Sequence, residues 1–253
     1  MVLFNEKAME LDVKQCDLIM DIYSHDIHNM LDMYTENCYL EETASTEEER
    51  KSSSDGKQTI LQTIIAKLKS LIQKISDMID AFKASIASKK NNLTAEEYMN
   101  SETAKIQFVY DVMAIQKEVD EEYLEARKVV QGISKITKVP VDKVAAFCDK
   151  MESKLHDNRD KILPTAKAVI STAAIEKTRK TVRDNIMESK NITERSKKLV
   201  DDFNKTIGVE NDPDAKEKLS VMTRFITVMG KMNKRWMRVS DTLDSEMKRA
   251  IKK

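Results

Sequence analysis

Residues 57–89 read KQTILQTIIAKLKSLIQKISDMIDAFKASIASK, and this stretch decides the fold. Leu61, Leu68, Ile75 and Phe82 stand seven residues apart; Ile64, Leu71 and Met78 fill the intervening position, and Ile65, Ile72 and Ile79 widen the stripe. A period near 3.5 residues with so broad an apolar face needs partner helices along its buried side. As one helix the stretch would be about 50 Å long, at 1.5 Å per residue. The fold class it predicts is all-α: an elongated antiparallel helical bundle or coiled coil of long amphipathic helices.

Composition agrees. The 253 residues include only 4 Gly and 3 Pro, with 5% aromatic, 34% charged and 41% hydrophobic residues. Little turn chemistry and few aromatics suit thin helical layers better than a thick globular core.

Toward the N-terminus, Met9, Val13, Cys16, Met20, Tyr23, Ile27, Met30, Met33 (or Tyr34) and Asn37 follow helical spacing with carboxylates opposite them. The following segment, EETASTEEERKSSSDGK, has almost no apolar residue with which to offset its ordering entropy. Three domains are therefore expected: an acidic amphipathic helix at 1–40, a flexible Ser/Glu-rich linker at 41–57, and a long-helix bundle at 58–253.

Toward the C-terminus, Thr94 and Glu97 make a capping box. The helix it opens reads through Ile106, Val109, Met113, Val119, Tyr123 and Val130 toward Ile136 and breaks before Pro140. A shorter helix carries Val144, Phe147, Met151 and Leu155. Another starts near Pro164, through Ala166, Val169, Ile170, Val182 and Ile186, and either continues past Asn191 or restarts there; it ends at Gly208. Asp212 and Pro213 open the last helix, whose stripe includes Met222, Phe225, Met229, Met232, Trp236, Val239, Leu243 and Met247. No strand-like alternation is expected anywhere.

The formal net charge is zero but unevenly placed: −10 over residues 1–56, +5 over 57–90, −3 over 91–139 and +8 over 140–253. Such asymmetry points to solvated helix faces or to an interaction tail. Cys16, Cys38 and Cys148 are an odd, widely spaced set without a CxxC, which favours a reducing compartment. The N-terminus lacks a basic n-region and an apolar h-region, and no apolar run reaches 18 residues. A cytoplasmic location, or a virion if the chain is phage-encoded, is expected, with no transmembrane segment.

Chemistry is sparse. His25 and His28, near Asp21 on one helix, match neither HExxH nor the ExxH of di-iron bundles, so no metal site is expected. Gly56, Gly132, Gly208 and Gly230 are solitary, which excludes a phosphate-cradling loop, and there is no GxSxG elbow. Neither catalytic residues nor a cofactor are expected, and enzyme function is not expected. Lys234, Arg235 and Arg238 flank Trp236 and are candidate anion contacts, for weak nonspecific nucleic-acid binding or for an anionic membrane surface. Packing alone also explains Trp236, which lies on the apolar stripe.

An acidic amphipathic head, a Ser/Glu-rich segment and then a Lys-studded Ile/Leu helix, in that order over residues 1–90, resemble helical proteins encoded by phages and prophages of Firmicutes-like gut bacteria. Leu40-Glu41-Glu42 is similar to the Leu-x-Glu sites cleaved by phage capsid-maturation proteases. The resemblance implies a non-enzymatic structural or interaction protein, a phage virion or internal capsid component, with protein partners or self-association through its helical seams. The competing reading is a helical binding module whose basic C-terminal half engages nucleic acid or an anionic membrane.

Overall fold

In the computed structural model, which describes residues 3–89, 105–157, 164–206 and 214–251, the 57–89 stripe is a buried seam. Ile64, Leu68, Leu71 and Ile79 are fully buried, and Ile65, Ile72 and Ile75 nearly so. Met78 is only half-buried. The continuous row is Leu61, Ile65, Leu68, Ile72, Ile75, Ile79 and Phe82, whose alternating spacings of four and three residues keep one side of a helix turned inward.

The described residues form α1 (Leu3–Thr43), α2 (Glu47–Lys89), β1 (Lys105–Tyr110), α3 (Val112–Gln131), a 3₁₀ turn (Ile136–Lys138), α4 (Val141–Asp157), β2 (Thr165–Ser171), α5 (Thr172–Thr206) and α6 (Ala215–Ile251). This is an all-α, helical-bundle class of fold with a small two-stranded sheet. The chain folds into two compact units: Met1–Ile75, Val129–Cys148 and Thr193–Lys231 in the first; Ser76–Lys128, Asp149–Ile192 and Met232–Lys253 in the second.

In the first unit α1 packs through Met20, Ile27 and Leu31. Its carboxylates take lysines from other helices: Asp21 with Lys231 (2.5 Å), Asp26 with Lys67 (2.6 Å), Asp32 with Lys216 (3.0 Å) and Glu41 with Lys57 (2.6 Å). Residues 221–230 of α6 are buried on every side except at Arg224. Phe225 meets Phe147 of α4 with ring centroids 5.5 Å apart. Arg195 donates to the carbonyls of Val130 and Ile133, both at 2.9 Å, and so closes the C-terminal end of α3.

The acidic head is therefore part of this core and not a separate domain. Nor is 41–57 a flexible linker, because α1 runs to Thr43 and α2 begins at Glu47. The cause is a capping box inside that polar segment. Thr46 Oγ1 accepts from the Glu49 N–H (3.2 Å), and Glu49 Oε2 accepts from the Thr46 N–H (3.0 Å). A polar composition removes burial as a driving force, but capping and the Lys57–Glu41 pair act in its place. Leu40-Glu41-Glu42 consequently lies in helix and not in an extended, cleavable conformation.

In the second unit β1 pairs antiparallel with β2, Ile106 opposite Ile170 and Phe108 opposite Ala168, with an irregularity between Phe108 and Tyr110. This corrects the helical reading of Ile106 and Val109 and of Ala166, Val169 and Ile170. Pro164 precedes a strand, and its carbonyl accepts from the Asp111 N–H at 2.9 Å. Asp111 then turns the chain into α3, its Oδ1 accepting from the N–H groups of Met113 (3.1 Å) and Ala114 (3.0 Å). α5 runs unbroken through Asn191, which is exposed. The caps read at Thr94, Gly208 and Asp212 lie outside the described residues.

Candidate functional site

The densest chemistry in the second unit is a set of polar side chains on the inner faces of α3, α4 and α6. Ile115, Val119, Tyr123 and Ala126 are the buried row of α3. Glu118 and Glu122, four residues apart, share a helix face beside that row. Glu122 is 1% exposed.

Three donors converge on the Glu122 carboxylate. Trp236 Nε1 donates to Oε2 at 2.8 Å, while Arg235 Nη1 at 3.2 Å and Lys154 Nζ at 3.3 Å donate to Oε1. Arg235 also donates to Glu118 through Nη2 (2.9 Å), and its guanidinium lies 4.7 Å from the Trp236 ring centroid. Burial raises the Glu122 carboxyl above the ordinary carboxylate range, aided by the Glu118 charge; Arg235, Lys154 and the Trp236 hydrogen bond counter only part of the rise. Tyr123 Oη donates to Asn233 Oδ1 at 2.6 Å, and burial, then the Glu122 charge, push the phenol well above its usual value.

A second network in the same unit centres on Asp244. It accepts from Arg179 and from Arg183 Nη2 (2.8 Å), Arg183 Nε donates to Ser240 Oγ (3.2 Å), and Arg179 also pairs with Glu176. Buried charges are tolerated when each is paired and hydrogen-bonded, and both clusters meet that condition through groups on different helices.

The candidate anion contacts are not assembled at the surface. Lys234 is 2% exposed, Arg235 is turned onto Glu118 and Glu122, and of the three only Arg238 is exposed. Successive helical residues point about 100° apart, so a run of bases on a helix packed nearly all round must send some of them inward. The histidines are not drawn together around a metal either. His28 Nδ1–H donates to the Ser24 carbonyl (2.6 Å), Asp21 is held by Lys231, and no group of three potential metal ligands occurs among the described residues.

Sequence reasoning missed Glu122, although one signal was present: an acid pair at i and i+4 bordering an apolar row, without a matching base on the same helix face.

Among the described residues no helix is long and apolar enough to cross a membrane. No family model matches the chain, and no curated protein or solved structure is similar to it.

Proposed function

We propose that this chain is a non-enzymatic structural and interaction protein, with the phage virion or internal capsid component as the narrower form of that role. The observation that carries the reading is the use made of its reactive groups. The buried carboxylate with the raised pKa is closed on three sides by Trp236, Arg235 and Lys154. A substrate would have to displace all three, so the cluster serves as a polar joint between helices. Of the bases that were candidates for nucleic acid or membrane contact, Arg235 is held in that joint and Lys234 is buried, which leaves only Arg238 exposed and weakens the binding-module reading.

Mass spectrometry of purified particles from a culture carrying the gene tests the virion form. A fixed stoichiometry in the particles is expected, and recovery only as free protein would refute it. Gel shifts with duplex DNA at about 0.15 M salt, where the Debye length is about 8 Å, should show no sequence-selective retention. Selective retention abolished by Arg238→Ala would restore the binding-module reading.

A further inference from the structure

The three donors on the Glu122 carboxylate are unequally tied to their surroundings. Arg235 also holds Glu118 and lies over the Trp236 ring, and Trp236 is fully buried on α6. Lys154, in the last turn of α4, reaches Glu122 Oε1 at 3.3 Å with a side chain that is 31% exposed. Among the described residues it has no second carboxylate. Upstream, α4 is fixed by buried Val144, Phe147, Cys148 and Met151. Beyond Met151 every residue of the helix is half-buried or exposed.

We propose that the Glu122–Lys154 contact is an acid-operated latch: a proton on the carboxylate releases the last turn of α4 from α3 and leaves α6 in place. The proton turns a charged acceptor into a neutral one. The Trp236 N–H still has a carbonyl oxygen to donate to, and Arg235 keeps Glu118. Lys154 loses the charge that held it, and its part-exposed ammonium moves into water. Burial keeps the Glu122 carboxyl above the ordinary carboxylate range, so as pH falls it takes up its proton before exposed carboxylates do.

The other charged groups around the contact are occupied elsewhere. On α3, Glu118 is taken by Arg235, Glu125 pairs with Lys150 at 2.5 Å, and Tyr123 donates to Asn233 of α6. On α4, His156 Nδ1 lies 3.6 Å from Asp157 at the exposed end of the helix. The Lys150–Glu125 pair also joins α4 to α3, but it is exposed on both sides and so holds weakly. The latch needs only the polar joint described above; the virion role is tested apart from it, by the composition of particles.

Amide hydrogen exchange on the full chain, expressed as protection factors so that the intrinsic pH dependence of exchange cancels, reads the latch directly. As pH is lowered from neutrality, protection over residues 153–157 should fall about three- to tenfold, the loss of one charge-assisted contact to a part-exposed lysine. Residues 233–240 of α6 should keep theirs. Lys154→Met and Glu122→Gln should each show the low protection at every pH, and His156→Gln should leave the wild-type transition where it is. Because Lys154 is part-exposed, Lys154→Met decides the matter even where Glu122→Gln fails to fold. A flat wild-type profile, a transition that survives either of those two substitutions, one that shifts or vanishes with His156→Gln, or an equal loss of protection in α6 would each overturn the latch.

Discussion

Gly230 and Gly56 both lie inside long helices, yet alanine should act on them in opposite directions. A Cβ at Gly230 would intrude on the sulfur of buried Met20 and lie 3.1 Å from Ile75 Cδ1. Overpacking typically costs about 1–3 kcal/mol, against roughly 1 kcal/mol gained in helix propensity. Gly230→Ala should therefore lower the melting temperature. At Gly56 the Cβ would meet only the side-chain oxygen of half-buried Asn37, at 2.9 Å, and that side chain can turn away. Gly56→Ala should leave stability unchanged or raise it by about 0.5–1 kcal/mol, as thermal melts of the two variants will show. From sequence these glycines were merely solitary, because a close approach between helices leaves no mark in the residues that flank it.

Glu122 and Glu49 make a second contrast among single residues, this time in pH dependence. Glu122 has a raised pKa in the folded state, so its contribution is fully present below the ordinary value of 4.5 and is lost as pH rises through the raised value. Glu49 is exposed, and its pKa is lowered by hydrogen bonds from Thr46 and Ser45. Its contribution is present above 4.5 and lost as pH falls through the lowered value. Melting temperatures measured against pH should show Glu122→Gln removing a decline above 4.5, and Glu49→Gln removing a loss below it. Identical profiles for the two variants would mean that neither environment is as described.

At the scale of elements, the α2 seam and its cap can be tested separately. Leu68 and Leu71 are fully buried, and truncating such side chains to alanine costs about 2–5 kcal/mol. Lys69 is partly exposed and pairs with Asp201 at 2.6 Å, so Lys69→Ala should cost about 1 kcal/mol or less. Comparable melting temperatures for all three variants would contradict a core seam. Thr46→Ala should cost about 1 kcal/mol and raise amide exchange over residues 47–57 first. The helical elements were legible wherever a 3.6-residue apolar period ran long, as in α2 and α6. The strands were not. Lys105-Ile106-Gln107-Phe108 alternates as a strand should, but only for four residues, and its partner Thr165–Ser171 lies about 60 residues away. Short alternation is ambiguous alone, and non-local pairing resolved it. The Thr46–Glu49 box was readable in TEEE, but the surrounding low hydrophobicity masked it. The candidate site was the least legible part. Lys234 and Arg235 look like a surface cluster until the packing around α6 is known.

For the molecule as a whole, each unit draws on three separate segments of chain, so neither corresponds to a piece that can be cut out at one loop. Removing α1 illustrates this. A fragment of residues 57–253 would bare the surfaces that cover Ile27 and Leu31 and would strand Lys67, Lys216 and Lys231 without their carboxylates. That fragment should unfold with reduced cooperativity in denaturant, and a sharp transition at the full-length midpoint would show α1 to be dispensable. Trp236, finally, is the only tryptophan in the chain, and it sits against a carboxylate and a guanidinium within the second unit. Its emission is thus a built-in optical reporter with one address: a blue-shifted band whose intensity follows the protonation of its neighbour and whose red shift times the melting of that unit, while far-ultraviolet dichroism follows every helix at once.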